Sequence, residues 1–126
     1  MTDRKSILVC EDEVHIQRLI KLVLEKSGMH VNTVSTGEEA LQFLNEATEL
    51  PDLILLDILM PGIDGLQVLR TVKSNNSLKN IPVVMLTALA QENVVMQGIK
   101  LGAIDYIRKP FHPKELPTRI ERHLIK

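Results

Sequence analysis

The chain has 126 residues, enough for one domain with a substantial core and too few for two. Hydrophobic residues make up 44% and charged residues 25%, a globular balance rather than a disordered one. The net charge of −1, with no long basic run, argues against nucleic acid or an anionic membrane as the primary partner.

The amino terminus, Met1 to Lys5, leads into a short strand, Ile7 to Cys10. That apolar stretch is too short for a signal sequence or a membrane span, and Cys10 is the only cysteine, so no internal disulfide can form. A buried structural thiol and a cytoplasmic location are the expectation. Glu11-Asp12-Glu13 follow, and Ile16, Leu19, Ile20, Val23 and Leu24 then recur at helical spacing, with Asp12 as the predicted cap and Gly28 as the stop. Val31 to Val34 reads as a second strand. Ser35-Thr36-Gly37-Glu38-Glu39 opens a second helix that buries Ala40, Leu41, Leu44 and Ala47.

The third strand is the run Leu53-Ile54-Leu55-Leu56-Asp57-Ile58-Leu59-Met60, bounded by Pro51 before and Pro61-Gly62 after. A run of this kind reads as a strand buried on both faces of a parallel sheet, with Asp57 at its carboxyl end. On this stretch alone, Asp57 is either a reactive carboxylate or the cap of the next turn. A loop through Gly62 and Gly65 leads to a helix with Leu66, Leu69 and Val72, broken at Asn75-Asn76-Ser77. Ile81 to Leu86 is the fourth strand, ending in Thr87-Ala88; a helix runs from about Glu92 to Leu101, with Gly102 as its stop. Asp105 to Arg108 is a fifth strand, then come Lys109-Pro110-Phe111 and a last helix with Leu116, Ile120 and Leu124. Pro113 and Pro117 cannot both be its first residue, so the helix either starts at Pro117 after a separate turn, which is the prediction, or is kinked in its first turn.

Strands alternating with helices imply right-handed crossovers and a parallel α/β sheet covered on both faces. The carboxyl ends of parallel strands share one edge, where ligands bind. That edge receives Glu11 and Asp12 after the first strand, Asp57 after the third, Thr87 after the fourth and Lys109 after the fifth. Each has an ordinary explanation alone: a helix start, a turn, a loop hydroxyl, a surface charge. Their convergence does not. Clustered carboxylates repel, and a cation relieves them. Hard oxygen donors without histidine favour Mg²⁺ over zinc. A carboxylate beside Mg²⁺ and an ammonium can attack phosphorus, with Lys109 neutralising charge and the Thr87 hydroxyl bonding a phosphoryl oxygen.

The motifs Val9-Cys10-Glu11-Asp12, Leu56-Asp57-Ile58-Leu59-Met60-Pro61-Gly62, Leu86-Thr87-Ala88, Gly102-Ala103-Ile104-Asp105-Tyr106 and Lys109-Pro110-Phe111 resemble a response-regulator receiver domain of two-component signalling. The resemblance covers the whole chain and implies one receiver over residues 1–126 with a flavodoxin-like, doubly wound, five-stranded parallel sheet (order 2-1-3-4-5) and five helices. It implies that Asp57 takes a phosphoryl group from a histidine kinase or histidine phosphotransfer protein. Asp12 and Asp57 then hold Mg²⁺ directly, Glu11 through water, and Leu59 through its main-chain carbonyl, with Lys109 on the phosphoryl group and its bond to Pro110 cis. Thr87 and Tyr106 are the implied switch pair. The fourth helix, fifth strand and fifth helix, with Val94, Val95, Gln97, Tyr106 and Arg108, form the implied output and dimerisation face. Its partners are a downstream target protein or an output domain, and it allows a phosphorylation-dependent homodimer.

Such a chain is a signalling phosphoacceptor rather than an enzyme, promoting its own phosphorylation and slow dephosphorylation. Leu89, near the implied site entrance, either shields the phosphoryl group or packs the loop. The four histidines show no metal spacing and read as surface or capping residues. The main alternative is a receiver-like interaction module that needs no phosphorylation; its usual mark is a missing acid, hydroxyl or lysine, and none is missing. An aspartate-nucleophile phosphatase wants a second acid two residues past the nucleophile, where this chain has Leu59. A dinucleotide site wants a G-x-G-x-x-G that is absent. A stand-alone receiver and the receiver of a longer regulator remain equally compatible with the sequence.

Overall fold

The computed structural model describes residues 4–60, 62–88 and 92–124. Five parallel strands, β1 (Ser6–Cys10), β2 (His30–Val34), β3 (Leu53–Asp57), β4 (Val83–Ala88) and β5 (Asp105–Lys109), pair in the order β2-β1-β3-β4-β5. Helices α1 (Val14–Lys26), α2 (Gly37–Glu46), α3 (Gly65–Ser74), α4 (Glu92–Leu101) and α5 (Glu115–Leu124) alternate with them. This is the flavodoxin-like order that the resemblance implies.

Because successive strand residues point to opposite faces, the apolar runs feed two cores. Ile7, Val9, Leu53, Leu55, Val84 and Leu86 pack with Ile20 and Leu24 of α1 and with Leu116 and Ile120 of α5. Leu8, Cys10, Ile54, Leu56, Val83 and Met85 pack with Ala40 and Leu44 of α2 and with Val68, Leu69 and Val72 of α3. All of β3 is buried, so Asp57 ends a strand with no solvent-facing side.

Local chemistry sets the helix ends. The Thr36 hydroxyl accepts the Glu39 N–H at 3.0 Å while the Glu39 carboxylate accepts the Ser35 N–H at 2.7 Å. Asp64 and Gln67 form a reciprocal capping box on α3. Gly28 and Gly102 end α1 and α4 at φ values of 93° and 117°, which favour glycine.

Several expected boundaries move. Glu13, not Asp12, caps α1, its carboxylate accepting the His15 N–H at 2.8 Å, and Asp12 is left exposed for another role. β4 begins at Val83 rather than Ile81, because Pro82 lacks an N–H and contributes only its carbonyl, to the Ile54 N–H at 2.9 Å. The last helix starts at Glu115 rather than Pro117, after a turn in which Glu115 N–H donates to the His112 carbonyl at 2.8 Å. Pro117 is its third residue, and first-turn N–H groups have no partner within a helix, so the missing donor costs nothing there. Ala47 caps the end of α2 instead of lying on its buried side. Leu89 lies outside the described residues.

Gly65 fixes how closely α3 meets β3. Its N–H donates to the Ile58 carbonyl at 2.9 Å, and a Cβ there would collide with the Asp57 carbonyl oxygen and lie 2.5 Å from Ile58 Cα. Both obstacles are backbone and cannot rotate away. Gly65→Ala is therefore expected to destabilise the protein by about 1–3 kcal/mol, measured as a shift in the urea midpoint with unchanged slope.

Candidate functional site

The strand register brings the expected residues to one edge. Glu11, just beyond β1, is wholly buried; its N–H donates to the Val34 carbonyl at 3.1 Å and its Oε2 accepts the Glu13 N–H at 2.9 Å. Asp57 closes β3 and is 3% exposed. Its Oδ1 accepts the Leu59 N–H at 3.2 Å, and its Oδ2 lies 3.1 Å from the Lys109 ammonium. Lys109 closes β5, and its Nζ is also 2.8 Å from Glu11 Oε1. One ammonium thus bridges two buried carboxylates. The Lys109–Pro110 bond is cis.

Thr87 is buried on β4, one residue past Leu86, which pairs with Asp57 across the sheet. Tyr106 is half-buried on β5, opposite Met85, and packs at the margin of the α2–α3 core. The Leu59 side chain is exposed, and among the described residues no N–H donates to its carbonyl.

Burial pushes the Asp57 carboxyl up to about 7; the Glu11 charge adds to this and Lys109 opposes it. Burial pulls the Lys109 ammonium down, but its bond to Glu11 and the charges of Asp57 and Glu11 outweigh that and hold it above its ordinary value. Burial, followed by the charges of Asp57 and Glu11, pushes the Cys10 thiol up to about 12, so it is an inert thiol. Its Sγ lies 3.5 Å from Met60 Sδ in the core.

Glu11, Asp12 and Asp57 each place a carboxylate oxygen within 4.8 Å of the others. Glu11 Oε1 is buried and receives no well-directed hydrogen bond, although the Lys109 ammonium stands close to it. Three hard carboxylate oxygens gathered this closely fit a small divalent cation.

One network was not anticipated. Asp105, at the start of β5, bonds Arg119 of α5 at 2.8 Å and His123 at 3.0 Å, and Arg119 also meets Glu115 at 3.3 Å. Burial alone would raise the Asp105 carboxyl, but the bonds from His123, Arg119 and the Tyr106 N–H bring it below its ordinary value. His123 is accordingly a half-buried anchor of α5 rather than the surface or capping residue expected. The i, i+4 spacing of Arg119 and His123 was the available signal, but their partner lies on another element.

Residues 7–121 match the family model described as the response regulator receiver domain. The chain belongs to that family and is a receiver domain of two-component signalling. It is 44% identical over 93% of its length to the phosphate regulon transcriptional regulatory protein PhoB of Escherichia coli, covering 50% of that protein. It is 43% identical, again over 93% of its length, to the alkaline phosphatase synthesis transcriptional regulatory protein PhoP of Bacillus subtilis, covering 47% of it. The chain thus spans about half the length of these relatives. A response regulator structure from Chloroflexus aurantiacus superposes with a TM-score of 0.92 at 35% identity, over 98% of this chain and all of that one. Chemotaxis protein CheY4 of Vibrio cholerae superposes at 0.89 with 28% identity, over 97% of this chain and 100% of that one. Among the described residues, no helix is long and apolar enough to cross a membrane.

Proposed function

We propose that residues 1–126 form a single phosphoacceptor receiver, in which Asp57 takes a phosphoryl group from a histidine kinase or histidine phosphotransfer protein. The observation that carries this reading is the Lys109 ammonium 2.8 Å from Glu11 Oε1 and 3.1 Å from Asp57 Oδ2, beside the exposed Asp12. Asp12, Asp57 and the Leu59 carbonyl would hold Mg²⁺ directly, and Glu11 would act through water. Bound there, the cation offsets the charge of the acids and of the incoming phosphoryl oxygens.

The ionised Asp57 oxygen attacks phosphorus, the phosphorus–nitrogen bond of the donor breaks, and its electron pair leaves with the imidazole. Lys109 then exchanges its Asp57 partner for a phosphoryl oxygen. The Thr87 hydroxyl donates to another phosphoryl oxygen, and no separate general base is needed. Movement of Thr87 opens space for Tyr106 to turn inward. That rotation alters the face formed by Val94, Val95, Gln97, Tyr106, Arg108 and α5, which contacts the downstream partner, output domain or second copy. With a net charge of −1 the domain itself is assigned no nucleic acid contact, and its expected location is the cytoplasm.

Incubation with acetyl phosphate is expected to give a Mg²⁺-dependent phosphoryl adduct by intact mass, absent in Asp57→Asn. If there is neither an adduct nor binding of beryllofluoride, the domain works without phosphorylation.

A further inference from the structure

The chain must turn sharply where β1 ends, because consecutive strand residues diverge to opposite faces, yet Glu11 and Asp12 both bring a carboxylate oxygen within 4.8 Å of Asp57. The peptide joining them needs a fixed orientation. Its carbonyl, that of Glu11, lies beyond the last β1 residue, Cys10, and so beyond the sheet's ladder. The group that meets it is Gln17 of α1, whose Nε2 lies 2.9 Å from the Glu11 carbonyl, 3.2 Å from the Val34 carbonyl and 3.2 Å from Ser35 Oγ.

Two of these acceptors are carbonyls, which cannot donate, so the amide NH₂ rather than its oxygen must face them. The Gln17 backbone N–H donates in turn to the Glu13 carbonyl at 2.9 Å, and the Glu11 N–H shares the Val34 carbonyl at 3.1 Å. One half-buried side chain thus ties the first turns of α1, the Glu11–Asp12 peptide and the end of β2 together.

We propose that Gln17 is a positioning residue of the carboxylate site: by holding the Glu11 carbonyl it sets the angle at which Glu11 and Asp12 meet a divalent cation beside Asp57. The assignment rests on the receiver reading above and deepens it. Gln17 touches neither cation nor phosphoryl group; it acts through the backbone between two acids, as outer-shell partners do in metal sites.

The test uses Gln17→Glu and Gln17→Met in the metal-free chain, titrated with Mg²⁺ alone and followed by backbone amide NMR shifts, which report only folded molecules. Gln17→Glu sets a carboxylate against two carbonyls but adds negative charge near a cation site, so electrostatics alone would tighten Mg²⁺ binding. Loss of positioning instead weakens it in both variants, by about ten-fold. Hydrogen exchange at the Glu11 and Glu13 amides should quicken in both without metal, while the adduct yield at saturating Mg²⁺ matches wild type. Wild-type Mg²⁺ affinity in both variants, or tighter binding by Gln17→Glu with Gln17→Met unchanged, overturns the proposal and leaves Gln17 a structural or charge effect. A wild type that neither binds Mg²⁺ nor forms an adduct overturns the receiver chemistry itself, so the two failures are separable.

Discussion

Asp57→Asn is expected to make the metal-free protein more stable above neutral pH, even though it removes the proposed phosphoacceptor. The Asp57 carboxyl is almost fully buried and titrates at about 7 instead of 3.8. The native state therefore keeps its proton where the unfolded chain has lost it. Between those values the folded form binds more protons, so stability falls as pH rises, and the loss is complete above about pH 7. Asparagine has the shape of the protonated acid and no charge to lose. Its advantage should be near zero at about pH 4 and grow to on the order of a few kcal/mol at about pH 8, from the linkage between a carboxyl shift and stability. Urea denaturation of both proteins in the presence of a chelator across this range measures it. A gap that stays flat with pH would show that the buried charge is not what destabilises the wild type. Mg²⁺ should narrow the gap by favouring the ionised wild-type carboxylate, which separates this stability effect from general tightening of the fold.

A buried charge that destabilises the fold is also what made the site legible in the sequence. Asp57 stood out because a carboxylate is costly at the end of an all-apolar run, although capping the next turn, as its bond from the Leu59 N–H does, was a competing reason for it. Glu11, Thr87 and Lys109 followed from one rule, that parallel strands end on a common edge, and the register sets them there. Gly28 and Gly102 were equally readable, since each position needs a positive φ. What escaped depended on partners from distant elements. Asp12 was read both as part of that edge and as the cap of α1; the cap is Glu13, because its carboxylate is the one that accepts the His15 N–H. Gln17 carries no signal in the sequence, because the acceptors it meets at the end of β2 come beside it only in the fold. The Asp105 network needs β5 and α5 docked before its members meet. The start of α5 was misplaced because proline was assigned to the first helical position alone, whereas the whole first turn tolerates it.

The reverse substitution to consider is Lys109→Met, which keeps most of the aliphatic stem and deletes the ammonium. Glu11 and Asp57 would then be left facing each other, buried, without the cation that bridges them at 2.8 and 3.1 Å. Removing one member of a buried ion pair costs about 3–5 kcal/mol when the other charge stays. Here the cost has an escape, because Asp57 can take up a proton. Its carboxyl should move further above about 7 once Lys109 no longer opposes burial and the Glu11 charge. The share of the penalty that comes from Asp57 is therefore expected in full only at alkaline pH, above that raised value, and should shrink as pH falls from there toward about 7, below which the carboxyl is protonated with or without Lys109. In the Asp57→Asn background the same substitution should cost less, since one of the two stranded charges is already gone. The difference between the two backgrounds, measured by urea unfolding above neutral pH, gives the coupling of Lys109 to Asp57. Mg²⁺ should restore most of the stability of Lys109→Met by supplying positive charge to the same acids, without restoring the phosphoryl contact proposed for the ammonium. A penalty that is the same at acid and alkaline pH, and indifferent to Mg²⁺, would mean that Lys109 matters for its packing and that the three acids are not balanced by its charge.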